Sequence, residues 1–131
     1  MTGINIQNPW SEMLINGEKC VETRHYPLPE KYTGEPLALI ETSGKQQKFK
    51  ARIIGFITFS HSFKYENVTE WMNDYNRHKV SVDSLFGWND KKDKYGWVVS
   101  SIHKLDSYQE PPKKKGIIFT LNCNVLVPSE I

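Results

Sequence analysis

The stretch Gly17-Glu18-Lys19-Cys20-Val21-Glu22-Thr23-Arg24, directly after Pro9-Trp10-Ser11-Glu12-Met13-Leu14-Ile15-Asn16, decides how this chain folds. It reads as a short helix, a stop and a charged strand. Asn8 suits an N-cap, Pro9 suits the first helical turn, and Trp10, Met13 and Leu14 share one helical face. Gly17 can take the left-handed conformation that closes a helix. Beyond it, period two puts Lys19, Val21 and Thr23 on one side of a strand and Cys20, Glu22 and Arg24 on the other.

Working outward, strand signals dominate. Residues 37–42 (LALIET) read as a buried strand, and 49–59 as a longer, β-branched one in which Gly55 marks a bulge or a barrel corner. Between Asn67 and Arg77 the period becomes helical, with Val68, Trp71, Met72 and Tyr75 in phase and Asn67 and Glu70 placed as a cap. Residues 81–93 read as a loop or insertion whose Leu85, Phe86 and Trp88 fold back onto the body. Residues 95–105 and 116–127 supply two more strands, separated by Pro111-Pro112, which forbids a regular ladder. The expected architecture is α+β: a small, mostly antiparallel barrel of five to six strands with two or more flanking helices.

Pro-Trp at a helix start, followed by Gly-x-Lys-x-x-Glu-x-Arg entering a strand, resembles the signature of the ASCH domain, a relative of the PUA fold. Tyr95-Gly96-Trp97-Val98-Val99, Leu105, Pro111-Pro112 and Lys115-Gly116 resemble the family's aromatic strand, proline-containing turn and closing strand. The resemblance implies a single ASCH (PUA-like) domain over 1–131, with a pocket between the first helix and the barrel that acts on RNA or a nucleobase. Some members remove the acyl group of N4-acetylcytidine with Lys-x-x-Thr. Here Lys19 matches the lysine, but Glu22 stands where the threonine belongs. Other members are described as ribonucleases, which implies Lys19 and Glu22 as the catalytic pair, helped by Arg24 or by Ser100 or Ser101 on the facing strand. His25 is a further candidate acid or base.

A nucleobase needs an aromatic wall and a few polar groups to read its edge, and stacking alone is worth ~1–3 kcal/mol per base. Trp10 and Trp97 are candidate walls, and Lys19, Glu22 and Arg24 candidate polar contacts. The first expectation is therefore a module that binds single-stranded RNA or a modified base, with Lys19→Ala or Arg24→Ala weakening binding while the fold survives. The alternative is a hydrolase of RNA or N4-acetylcytidine in the same pocket. A third reading is a protein-interaction domain using Leu85, Phe86 and Trp88.

Composition limits the remaining classes. A chain of 131 residues with 38% hydrophobic and 12% aromatic content supports one folded domain without long disordered tails. No segment approaches the ~20 apolar residues of a membrane span, and the start lacks a signal-peptide pattern, so an intracellular protein, cytoplasmic or nuclear, is expected. Cys20 and Cys123 read as reduced thiols, and without clustered Cys/His spacing no metal or cofactor is expected. A monomer is favoured. A net charge of +2 excludes a bulk polycation, yet Lys45, Lys48 and Lys50, then Lys91, Lys92 and Lys94, then Lys113, Lys114 and Lys115 form three basic loops. At the mouth of a cleft such loops would track phosphates and make binding salt-sensitive.

Overall fold

The computed structural model describes residues 1–126, the side chain of Lys45 excepted. Six strands form one curled sheet in the order β2-β5-β4-β3-β1-β6. They are β1 (Gly3–Gln7), β2 (Val21–Arg24), β3 (Leu37–Thr42), β4 (Arg52–Lys64), β5 (Tyr95–Gln109) and β6 (Phe119–Thr120). Three short helices accompany them, α1 (Trp10–Ile15), α2 (Val68–Asn73) and α3 (Tyr75–His78). The pairing is antiparallel except for β1 on β3, which run parallel in register from Gly3 opposite Ala38 to Gln7 opposite Thr42. The α+β half-barrel that the alternation implied is thus the observed fold.

The two edges of the sheet meet through side chains. Trp97 of β5 stacks on Phe119 of β6 at 6.1 Å between ring centroids, and Arg24 of β2 donates to the Asn5 carbonyl of β1 at 3.2 Å. Inside the curl, Ile4, Ile6, Leu37, Leu39, Ile57, Phe59 and Trp97 are buried together with Leu14 of α1. This is the inward half of each alternation, removed from water at about 25 cal/mol per Å² of apolar surface.

Several local expectations hold for physical reasons. Gly17 has φ +80, the left-handed value that stops α1. At Gly55 the β3–β4 and β4–β5 registers shift, and a Cβ there would lie 2.3 Å from the His103 carbonyl oxygen and 2.5 Å from Ile15 Cδ1. The bulge is therefore also where α1 lies against the sheet. Asn67 caps α2 by accepting from the Glu70 amide at 2.9 Å.

Other expectations are corrected. Pro9, not Asn8, occupies the N-cap of α1, and Asn8 Nδ2 instead donates to Glu41 Oε2 at 3.1 Å. The strand expected over 116–127 shrinks to Phe119–Thr120, because Gly116 packs so tightly on Phe119 that a Cβ would sit 1.8 Å from its carbonyl oxygen, and Asn122 turns to φ +59. Residue 127 lies outside the described residues. The helix expected through Arg77 breaks at Asp74, whose carboxylate is taken by the Tyr65 hydroxyl and by the Arg77 guanidinium. Strand β1 has no counterpart in the sequence reading.

Candidate functional site

The site starts from where β2 begins. Its first residue is Val21, so Lys19 and Cys20 precede the strand and do not obey its alternation. Cys20 is exposed, whereas Lys19 turns inward and is 1% exposed. Its ammonium donates to the His78 carbonyl at the end of α3 and lies 3.4 Å from Glu22 Oε1. The expectation that Lys19 and Glu22 fall on opposite sides is thereby corrected. Glu22 and Arg24 do alternate inward together, and Arg24 Nη2 lies 2.9 Å from Glu22 Oε2.

One carboxylate is thus held between two cations in a place nearly closed to water. Burial by itself would raise the Glu22 carboxyl, but Lys19 and Arg24 outweigh it and keep it below the ordinary carboxylate range. Burial pushes the Lys19 ammonium below its ordinary value, partly opposed by Glu22. Lys94, at 3% exposure, is lowered in the same way by burial, against the pull of Glu22. Its ammonium donates to the carbonyls of Phe86 at 2.9 Å and Gly87 at 3.1 Å, fastening the 81–93 loop. The basic-loop reading of Lys94 is therefore corrected.

His78, which carries the carbonyl that receives Lys19, is itself fixed. Its Nδ1 accepts from the Val80 amide at 2.9 Å and its Nε2 lies 2.7 Å from the Trp71 carbonyl, so the Nε2–H tautomer satisfies both. The ring stacks on Trp71 at 4.8 Å, and burial lowers its pKa. The neutral imidazole is a structural strut beneath Lys19.

Glu22 and Arg24 open into a cavity of about 530 Å³ at the seam where the sheet edges fail to form a ladder. Asn5, Ile6 and Gln7 of β1 line one side, and residues 22–26 the facing side. Trp10, Val80, Phe86 and Lys94 line another part, and Thr42 and residues 115–118 complete the lining. Phe86 meets Trp10 edge-on at 5.2 Å, and Trp10 Nε1 donates to the Lys79 carbonyl at 3.3 Å. The volume lies within the roughly 300–1,000 Å³ of small-molecule pockets, and the lining is apolar with a few convergent polar groups.

Of the residues singled out from sequence, Trp10, Glu22, Arg24 and His25 line this cavity. Lys19 lies behind Glu22 and touches the cavity only through it. Trp97 is a core residue, fully buried, with its Nε1 donating to the Tyr26 carbonyl at 3.0 Å. Its aromatic bulk fills the barrel, and Arg24 stands over the ring at 5.8 Å. Ser100 and Ser101 are exposed on β5 beyond the stretch that pairs with β2, and Ser100 Oγ donates to the Thr58 carbonyl at 3.2 Å. Neither reaches the cavity.

Lys115, expected on a basic loop at a cleft mouth, lines it as well, as do Lys94 and Phe86, which were read as loop residues, and Tyr26, which was not singled out. Tyr26 was findable, because it continues the inward alternation Glu22, Arg24, Tyr26. Its hydroxyl oxygen is buried without a hydrogen-bond partner among the described residues, and burial raises its pKa. Nothing local in sequence marks Phe86 or Lys94 as cavity residues, since the turn of a loop brings them there.

Among solved structures, the fold is similar to that of ASCH from Zymomonas mobilis. That likeness has a TM-score of 0.56 at 17% identity and covers 76% of this chain and 66% of that one. Two single-residue variants of the same protein are similar to the same degree, with TM-scores of 0.54 and 0.56 at 17% identity. They cover 76% and 80% of this chain against 67% and 76% of theirs. This chain thus spans about two thirds to three quarters of those proteins and shares the ASCH-domain fold with them. No family model and no curated protein matches the sequence.

Proposed function

We propose that the seam cavity receives one unpaired or modified base of a single-stranded RNA, making this chain an RNA-binding module. The observation that carries this reading is the pairing, in one cavity of about 530 Å³, of aromatic walls from Trp10, Tyr26 and Phe86 with a buried, ionised carboxylate at Glu22. Stacking surface and edge-reading groups are what an unpaired base requires. The ASCH-type fold is consistent with such a ligand. Lys115 lines the cavity and is exposed, as are Lys113 and Lys114 just before it in sequence, a run of cations that suits the phosphates flanking an inserted base.

Binding takes precedence over hydrolysis because a carboxylate held below its ordinary pKa is a weak proton acceptor, and the Lys19 ammonium is engaged behind it. The test is a labelled single-stranded RNA at low salt, run on native and denaturing gels with Trp10→Ala and Lys115→Glu in parallel. A native shift with intact RNA, weakened in both variants and lost at high salt, supports the module. Shortened RNA moves the hydrolase reading to first place, and no shift in any lane overturns the proposal.

A further inference from the structure

Glu22 has acceptor capacity left over after its ion pairs. An ionised carboxylate offers about four lone-pair positions and no donor. Lys19 approaches one oxygen at 3.4 Å and Arg24 the other at 2.9 Å, so each oxygen keeps a position, and the residue lines the cavity. Two adjacent acceptors on a nearly buried carboxylate are satisfied by two adjacent donors. They repel a ligand that presents a lone pair to either of them.

Among the unmodified bases only guanine presents such an edge, its ring N1–H beside the exocyclic amine. Adenine and cytosine each set an amine beside a ring lone pair, and uracil flanks its single N–H with two carbonyls. The carbonyl that completes guanine's edge needs a donor, and the Arg24 guanidinium, which lines the same wall, keeps N–H groups beyond the Nη2 it gives to Glu22 and to the Asn5 carbonyl. The geometry points to guanine as the base this cavity selects, with Glu22 as the residue that reads its paired donors. The inference rests on the RNA-binding reading above and specifies its ligand.

The discriminating experiment changes the ligand and leaves the protein intact. Uridine-rich RNA hexamers carrying one central guanine, inosine, 1-methylguanine, adenine or cytosine, and an all-uridine control, are titrated into the protein calorimetrically. The guanine hexamer is expected to bind about tenfold or more tightly than the inosine hexamer, which lacks only the exocyclic amine, and 1-methylguanine to fall to the all-uridine level. Glu22→Gln, where it folds by circular dichroism, is expected to erase the difference between guanine and inosine. Equal binding of all hexamers, or a preference for adenine or cytosine, overturns the guanine assignment and leaves the RNA-binding module standing. Failure of every hexamer to bind removes both.

Discussion

Lys19 and Glu22 sit three positions apart, and their partnership depends on Lys19 lying just outside the strand that Glu22 belongs to. A lysine so placed is structural first. Its ammonium satisfies the His78 carbonyl and neutralises a carboxylate that has almost no water around it. Removing one partner of a buried pair typically costs ~3–5 kcal/mol, and because Arg24 still faces Glu22 the lower end applies. Lys19→Met is therefore expected to lower unfolding stability by about 3 kcal/mol in urea titration. That replaces the sequence expectation that Lys19→Ala spares the fold. An unchanged urea midpoint would show that the pair contributes nothing. Residue identity made Lys19 legible as important, but its role was not, because period-two reasoning started the strand at Lys19, two residues before β2 begins at Val21. Gly17, by contrast, was fully legible: at φ +80, Gly17→Ala is expected to cost about 1 kcal/mol by the same titration.

At the scale of elements, Trp88 packs the 81–93 loop against Trp71 and His25 reaches the Asp93 carbonyl, while the turn at Phe86 and Gly87 is held by Lys94. Lys94 immediately precedes β5, and its ammonium clasps the carbonyls of Phe86 and Gly87, which keeps Phe86 against Trp10 while neighbouring Leu85 is 96% exposed. Lys94→Ala is expected to speed chymotryptic cleavage at Leu85 and Phe86 several-fold and leave the β-sheet circular dichroism unchanged. Cleavage at the native rate would mean that the Trp10–Phe86 contact holds the loop without the lysine. The long elements were legible because each carries its own pattern: β3 matches its apolar run residue for residue, and β4 shows its bulge through Gly55. β1 and β6 were not. GINIQ is short and takes its order from a parallel partner 35 residues downstream, Gly3 against Ala38, while Phe119–Thr120 pairs back onto β1. Non-local pairing leaves no local trace, and the cavity lies between β1 and the facing residues 22–26.

Across the whole molecule, three carboxylates hold separate joints together. Glu22 fixes β2 to the end of α3 through Lys19. Glu41 of β3 accepts from Ser11 at 2.7 Å and Asn8 at 3.1 Å beside α1, and from Arg52 of β4 at 2.9 Å. Asp74 ties α3 to the end of β4 through Arg77 and Tyr65. Burial would raise all three, yet hydrogen bonds and cations hold each below its ordinary value of 4.5, 4.5 and 3.8 respectively. A carboxyl with a lower pKa folded than unfolded binds fewer protons in the folded state, so stability is fully present above the unfolded value and is lost as pH falls through the folded one. Urea midpoints measured from neutral pH downward are therefore expected to decline gently below about pH 6.5, where unfolded but not folded His78 takes up a proton, and then to fall steeply below pH 4 as the carboxylates titrate. Glu41→Gln is expected to start from a lower midpoint at neutral pH and to lose less of it in acid, because one of the three groups no longer titrates. A variant curve that coincides with the native one at every pH would mean that Glu41 is ordinary in its titration and that the α1 joint, which carries Trp10 to the cavity, is held by packing alone.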